Sequence, residues 1–198
     1  MAGGSSNAAS VIQGVNRLWN CGLSGAQEHE IAAGLGSDVN FFLVGGPALC
    51  RGRGEKVSPR SLPAGRWVLL LNPGFGVPTP WAFKCYGETA CKQGQEGGSL
   101  VLPDGGTFTL RNDLEPAVFS KYVWLEEAKR WLQGQGEVED ALMSGSGATV
   151  FALLREGVAE QVRAELVEKT RAYFGVGVWL EVVELLTASA EEPGEEQK

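Results

Sequence analysis

The sequence predicts an α+β fold, on three observations. Its 198 residues are 43% hydrophobic, which is enough to fill a substantial core. Apolar residues recur at helical spacing near the start of the chain, and later segments alternate between apolar strands and amphipathic helices. From Trp67 onward the predicted order is strand, helices, strand, strand, helix, strand, which is typical of the ferredoxin-like split βαβ arrangement.

Charge and composition disfavour several classes of protein. The 17 Lys and Arg against 24 Asp and Glu give a net charge of -7, without a basic block that could follow a nucleic-acid backbone. No apolar run approaches the roughly 20 residues of a membrane helix, and residues 1–10 lack the features of a signal peptide. We therefore expect a cytoplasmic protein without nucleic-acid or membrane partners. With His29 as the single histidine, a reaction would depend on carboxylates and backbone groups.

The first part of the chain predicts two helices and a hairpin. Apolar spacing predicts a helix over 6–20, opened by a polar cap. A second helix starts at Ser24, because Ser24 and Gln27 have the spacing of a capping box. The apolar run over 39–44, a glycine turn and residues 48–51 together predict a β-hairpin.

A Pro-rich segment over 58–65 predicts a boundary between two units. The elements predicted after it are a buried strand over 67–71, a short helix capped by Thr79, an exposed Gly-rich loop over 93–107, helices over 112–119 and 121–133, a short strand at 142–143, a strand over 148–154, a helix over 158–174 and a strand over 176–186. The predicted domains are residues 1–60 and 61–187, followed by a disordered acidic tail over 188–198.

The first candidate site is the glycine-rich start of the first helix, formed by Gly3, Gly4, Ser5, Ser6 and Asn7. Free backbone N–H groups and the positive end of the helix dipole can bind a phosphate there. The hydroxyls of Ser5 and Ser6 could add donors or reach a magnesium ion. A flexible terminus that only caps a helix is equally consistent with this spacing.

A second candidate is the loop that contains Gly145, Ser146 and Gly147, between a short strand and a buried one. Such a loop can accommodate an anion. A tight turn needs the same glycines, and spacing alone favours the turn.

The third candidate is Asp38, which lies just after Gly36 and before the apolar run over 39–44. A carboxylate held at the mouth of a hydrophobic strand could accept the proton of an attacking hydroxyl, as general bases in phosphoryl transfer do. The alternative is an aspartate that bonds its own turn backbone, which is commoner for this residue type.

Five segments together carry a resemblance to a known family. They are AGGSSNAAS at 2–10, LGSDVNFFLVGGPALCRGRGE at 35–55, NPGFGVPTP at 72–80, NDLE at 112–115 and MSGSGATVF at 143–151. In this order and spacing they resemble the GHMP kinase superfamily, and within it the family of 4-diphosphocytidyl-2-C-methyl-D-erythritol kinases. The resemblance implies part of an N-terminal domain with the ribosomal protein S5 domain 2-like fold, followed by a ferredoxin-like C-terminal domain.

The resemblance also implies an activity, which is ATP-dependent phosphorylation of the 2-hydroxyl of 4-diphosphocytidyl-2-C-methyl-D-erythritol in non-mevalonate isoprenoid biosynthesis. ATP and Mg²⁺ are the implied cofactors. By matching motifs, the implied roles are phosphate binding by Gly3, Gly4, Ser5, Ser6 and Asn7, a second loop near the phosphates at Gly145, Ser146 and Gly147, proton acceptance by Asp38, and substrate contacts at Arg53 and Thr79.

One departure from the family affects the expected activity. Members of the family have an N-terminal portion with a catalytic lysine ahead of the glycine-rich loop, and the sequence resembles a start at an internal methionine. Loss of that lysine would remove about 3 kcal/mol or more of electrostatic stabilisation, so we expect little or no kinase activity from this chain alone. Unpaired strand edges are expected at 41–43 and 48–51. The alternatives are a non-catalytic nucleotide-binding or interaction module, or another GHMP small-molecule kinase.

Overall fold

The computed structural model describes residues 2–88 and 97–188, which divide into two compact units. The helical unit comprises Ala2–Leu62 together with residues 186–188. The sheet unit is Pro63–Leu185. Most of the predicted acidic tail, from residue 189 on, lies outside the described residues, as do residues 93–96 of the predicted loop.

The helical unit packs three helices together with a small antiparallel hairpin. In chain order its elements are α1 (Gly3–Leu18), α2 (Gly25–Leu35), α3 (Val39–Val44), β1 (Ala48–Arg51) and β2 (Lys56–Pro59). The side chains that form its core come from all three helices and are Ala9, Ile12, Ala32 and Val39. This small core fixes α3 against α1 and α2.

The two helix starts in this unit differ in how they are capped. At α2 the predicted capping box is confirmed, because the Ser24 hydroxyl accepts the Gln27 N–H and the Gln27 side chain accepts the Ser24 N–H at 2.9 Å. At α1 the predicted polar cap is wrong. The helix begins at Gly3, after Ala2 in the left-handed region, and no side chain caps it.

The predicted hairpin over 39–44 and 48–51 is wrong in its first strand. Residues 39–44 form α3, and the partner of β1 is β2, with Ala48 opposite Pro59. A short continuous apolar run does not distinguish a strand from a buried helical turn. The adjacent residues Val39 and Asn40 are both buried, which a helix end wedged between two other helices allows. The strand edge expected at 41–43 is therefore helical.

The sheet unit has the predicted ferredoxin-like arrangement. Its elements are β3 (Trp67–Asn72), α4 (Thr79–Glu88), β4 (Ser99–Val101), β5 (Thr107–Thr109), α5 (Glu115–Phe119), α6 (Val123–Gln133), β6 (Val138–Met143), β7 (Val150–Leu154), α7 (Glu160–Phe174) and β8 (Trp179–Glu184). The main sheet is antiparallel, with strand order β6-β7-β3-β8. The α+β fold class is confirmed. Among the described residues, no helix is long and apolar enough to cross a membrane.

One face of this sheet carries the main hydrophobic core. Leu69 and Leu71 alternate along β3 toward this face and are fully buried, and Leu69 lies opposite Ala152 of β7. The helices cover them with Leu125, Ala128 and Leu132 of α6 and Leu166 of α7. Each buried leucine contributes about 1.5 to 3 kcal/mol relative to exposure.

The predicted exposed loop over 93–107 is wrong in part. Among its described residues, 97–98 and 102–106 are loop or turn and mostly exposed, as predicted, whereas 99–101 and 107 belong to the hairpin β4-β5, with Ser99 opposite Thr109 and Leu100 buried. Asp140 on β6 anchors the start of this hairpin, since its carboxylate accepts the Gly98 N–H at 2.6 Å. Glycine-rich composition predicts the turn but does not reveal this distant anchor.

Leu69 gives a direct test of the core. The change Leu69→Ala is expected to lower the free energy of unfolding by about 2 to 5 kcal/mol, because it leaves a cavity on the central strand. Urea denaturation measures this loss. Val123→Ala is the matched control, since Val123 is 67% exposed and should change stability by less than about 0.5 kcal/mol. Equal losses for both variants would contradict this assignment of the core.

Glu137 predicts a pH dependence of stability. Its own backbone N–H and the Lys169 ammonium, 3.1 Å away, lower the pKa of the Glu137 carboxyl. A lowered folded-state pKa stabilises the fold above the ordinary glutamate pKa, and this contribution is lost as pH falls through the folded value. Glu137→Gln should therefore destabilise the protein by up to about 1 kcal/mol near neutral pH, and the difference from wild type should vanish in acid. Urea unfolding at both pH values tests this, with exposed Glu168→Gln as control.

Candidate functional site

The start of α1 offers unsatisfied backbone donors. Gly3 and Gly4 are exposed, and a Cβ built on either would meet nothing within 4 Å. The first turn of α1 contains no acidic residue, and no side chain caps it. The N–H groups ahead of Ser6, whose own N–H bonds to the Ala2 carbonyl, lack partners within the helix. This arrangement suits an anion, with the hydroxyls of Ser5 and Ser6 half-buried beside it.

Asp38 occupies the N-cap position of α3, so its predicted place before a strand is wrong. Its side chain makes no capping hydrogen bond with the helix. The residue is exposed, which leaves the carboxylate able to meet a hydroxyl group from solution. The geometry at α3 thus does not use Asp38 as a helix cap.

The β1–β2 turn lies against the chain just before Asp38. Gly54 in this turn has φ of +119°, and a Cβ there would approach the Ser37 carbonyl oxygen to 2.8 Å. On β1, burial and then the negative charge of Asp38 raise the pKa of the Cys50 thiol. Arg53 belongs to the same turn and is exposed. The fold therefore brings Asp38 and the turn that carries Arg53 into one part of the helical unit.

Asn40 is a residue of this region that the sequence reasoning missed. It is 2% exposed, and its Nδ2 donates to the Glu55 carbonyl at 3.3 Å. Its Oδ1 lies 3.0 Å from Nδ1 of His29 on α2. The Glu55 carboxylate in turn accepts the Arg53 N–H at 2.7 Å, and backbone hydrogen bonds lower the pKa of Glu55. The signal for Asn40 was an amide inside an otherwise apolar run.

In the sheet unit, the glycines between β6 and β7 form a tight turn. Gly145 and Gly147 have φ of +56° and +90°. The Ser144 carbonyl accepts the Gly147 N–H at 2.9 Å. The Thr79 hydroxyl lies 2.8 Å from the Ser146 hydroxyl, so two predicted site residues are in contact. Thr79 is the first residue of α4, and its hydroxyl joins that helix to this loop.

Two residues of the NDLE segment support this turn. Asn112 donates to the carbonyls of Met143, at 2.7 Å, and Gly145, at 2.8 Å. Glu115 is buried and accepts the Met143 N–H at 2.8 Å. The Lys129 ammonium pairs with the other Glu115 oxygen at 2.6 Å. The motif pattern alone did not indicate these roles of Asn112 and Glu115.

Comparison with known proteins finds kinases. Residues 105–172 match the family "GHMP kinases C terminal". A 4-diphosphocytidyl-2-C-methyl-D-erythritol kinase of Methylacidiphilum infernorum is 45% identical over an alignment of 191 residues that covers 94% of this chain and 63% of the relative. The enzyme of the same name from Geobacter sp. strain M21 is 37% identical over an alignment of 185 residues that covers 90% and 64% of the two chains. The chain thus spans a little under two thirds of these relatives.

Solved structures give a consistent result. A crystal structure of 4-(cytidine 5'-diphospho)-2C-methyl-D-erythritol kinase superposes with a TM-score of 0.67 and 28% identity, over 92% of this chain and 65% of that one. A homoserine kinase from Cytophaga hutchinsonii superposes with a TM-score of 0.60 over 96% and 68% of the two chains. Its 18% identity indicates a shared fold alone.

The two glycines of the β6–β7 turn predict different costs of substitution. Gly145→Ala meets open space, so it should cost about 1 to 2 kcal/mol for its positive φ. Gly147→Ala has a similar backbone cost, and its Cβ would also lie 2.9 Å from the sulfur of buried Met143. We expect Gly147→Ala to lose about 1 to 3 kcal/mol more in urea unfolding. Equal losses for the two variants would show that Met143 yields without cost.

Proposed function

The chain is similar in sequence to 4-diphosphocytidyl-2-C-methyl-D-erythritol kinases, and on this premise we propose that it is part of such a GHMP kinase and provides a general base and phosphate contacts for it. The proposed reaction is transfer of the γ-phosphoryl group of ATP to the 2-hydroxyl of 4-diphosphocytidyl-2-C-methyl-D-erythritol, a step of non-mevalonate isoprenoid synthesis. The observation that carries the proposal is one compact unit that contains both an uncapped glycine-rich helix start and the exposed carboxylate of Asp38.

Asp38 is the proposed general base. The substrate oxygen forms a bond to the γ-phosphorus, the bond from that phosphorus to the bridging oxygen breaks, and ADP leaves. The hydroxyl proton passes to the Asp38 carboxylate. A positioned base of this kind contributes about 10² to 10⁴ in rate. The exposure of Asp38 and the absence of a cap bond to α3 support this role.

Phosphate oxygens are proposed to meet one set of donors in each unit. In the helical unit these are the free N–H groups of Gly3, Gly4 and Ser5 at the start of α1, together with the side chains of Ser5, Ser6 and Asn7. In the sheet unit they belong to the turn of Gly145, Ser146 and Gly147, where the Gly147 N–H already donates to the Ser144 carbonyl and the Ser146 hydroxyl is a side-chain donor. The absence of acidic residues from the first turn of α1 supports the first set, because a carboxylate there would repel a phosphate.

Arg53 and Thr79 are proposed to contact the substrate. A guanidinium can form charge-assisted hydrogen bonds with a diphosphate, and Arg53 is exposed on the β1–β2 turn. The Thr79 hydroxyl, already 2.8 Å from Ser146, can donate or accept a further hydrogen bond. Each residue has the chemistry that a polar nucleotide-like substrate requires.

Mg²⁺ is proposed to enter with ATP. The described residues contain no group of three His, Cys, Asp or Glu side chains that could hold a metal. This fits a cation bound mainly by phosphates and water, as Mg²⁺ commonly is. The half-buried hydroxyls of Ser5 and Ser6 are the residues that would contact it. When bound, the ion would neutralise charge on the phosphates.

The test measures ADP release from Mg-ATP with and without 4-diphosphocytidyl-2-C-methyl-D-erythritol. Two proteins are assayed, the chain itself and a hybrid in which it replaces the matching region of the Methylacidiphilum infernorum relative. Substrate-dependent release by the hybrid is expected. Asp38→Asn should reduce it by about 10² to 10⁴, because an amide cannot accept the proton.

The matched control is Glu30→Gln, which removes a carboxylate from an exposed position of α2 in the same unit. Its rate should equal that of the parent hybrid. A folded hybrid without substrate-dependent release would refute the kinase proposal and favour a binding module. Release that survives Asp38→Asn would refute the role of Asp38 alone.

A further inference from the structure

We propose that Asn40 is a positioning residue whose buried side-chain amide holds Asp38 at a fixed place beside the β1–β2 turn. Asn40 lies two residues after Asp38, in the first turn of α3. Its amide joins two other elements, since one end contacts His29 of α2 and the other contacts Glu55 in the β1–β2 connection. This inference rests on the proposed function for its catalytic meaning and on geometry for the rest.

The segment around Asp38 meets the β1–β2 connection at two points. Before Asp38, the Ser37 carbonyl lies so close to Gly54 that a Cβ there would come within 2.8 Å. After Asp38, the Asn40 Nδ2 donates to the Glu55 carbonyl at 3.3 Å. Asp38 therefore lies between two points at which the chain approaches consecutive residues of the same connection, and the second of these is a hydrogen bond.

The orientation of the Asn40 amide is set by its partners. The Glu55 carbonyl can only accept, so it must face the NH₂ group of Asn40. The Asn40 oxygen then faces Nδ1 of His29, at 3.0 Å, and this nitrogen must carry a proton. Because the amide is 2% exposed, water does not readily replace either partner. The network thus specifies the tautomer of the His29 ring, with the proton on Nδ1.

Because His29 is the single histidine of the sequence, its tautomer can be measured in the intact chain. Nitrogen-15 NMR of the neutral ring should show a protonated Nδ1 and an unprotonated Nε2, whereas free histidine favours the opposite tautomer. Asn40→Ala should return His29 toward the free tautomer. A neutral wild-type ring with its proton on Nε2 instead of Nδ1 would overturn the network.

Cys50 reports the placement of Asp38. With Cys21, Cys85 and Cys91 replaced by alanine, the pH profile of Cys50 alkylation gives the midpoint of its titration. Asp38→Asn should lower this midpoint, because a nearby negative charge disfavours the thiolate. Asn40→Ala should lower it in the wild-type background and change it less in the Asp38→Asn background. Shifts of equal size in both backgrounds would overturn the proposal.

Asn16→Ala is the matched control. Asn16 is also an amide that joins two elements of this unit, since it donates to the Leu23 carbonyl and to Glu28, and accepts the Leu23 N–H. These hydrogen bonds of Asn16 go to Leu23 and Glu28, and not to Asp38 or the β1–β2 connection. Its loss should leave both the His29 tautomer and the Cys50 midpoint unchanged. A change in Cys50 equal to that from Asn40→Ala would overturn the specific role of Asn40.

Kinetics of the hybrid enzyme complete the test. Asn40→Ala should lower kcat by about a hundredfold with little change in KM for ATP, because a misplaced base affects the chemical step more than ATP binding. An unchanged kcat in an active hybrid would overturn the positioning role. If the parent hybrid is inactive, the proposed function fails, and the His29 and Cys50 measurements still decide whether Asn40 holds Asp38.

Discussion

The pairing of β3 on both of its edges is the constraint on which the sheet unit depends. Leu69 lies opposite Ala152 of β7 and Val182 of β8, so the strand that opens the unit is completed only by its last two strands. At the end of β3, the Asn72 amide donates to the Thr149 hydroxyl at 2.9 Å. The register of the central strands thus fixes where the β6–β7 turn emerges from the sheet. Ser146 in this turn contacts the Thr79 hydroxyl at the start of α4.

The β6–β7 turn is held by a charge that the core would otherwise exclude. Glu115 is 3% exposed, and its carboxylate is stable there because Lys129 and the Met143 N–H satisfy its two oxygens. A buried pair of this kind is weak evidence for stability, since its desolvation offsets much of its attraction. Its effect here is on geometry. Glu115 accepts the Met143 N–H and Asn112 donates to the Met143 carbonyl, so both backbone polar groups of Met143 are held.

Features that depend on residues close together in the sequence could be predicted, and features that depend on distant residues could not. The capping box of α2 involves residues three apart, and the core strand β3 is predicted by a continuous apolar run. Both signals are local in sequence. The support of the β6–β7 turn joins Glu115 to Met143, 28 residues away, and no local pattern encodes such a pair. At α3 the local pattern was ambiguous, because packing against α1 and α2 decided between strand and helix. The proposed roles of Asp38, Arg53 and the glycines of α1 come from motif resemblance.

The residue at position 54 is constrained by the backbone around it. Its positive φ and the closeness of the Ser37 carbonyl exclude every larger residue unless the chain before Asp38 moves. In related sequences that keep this backbone, position 54 is therefore expected to remain glycine. Invariance at such a position would reflect the shape of the backbone and not a chemical role of the residue. What selection would maintain there is the absence of a Cβ atom.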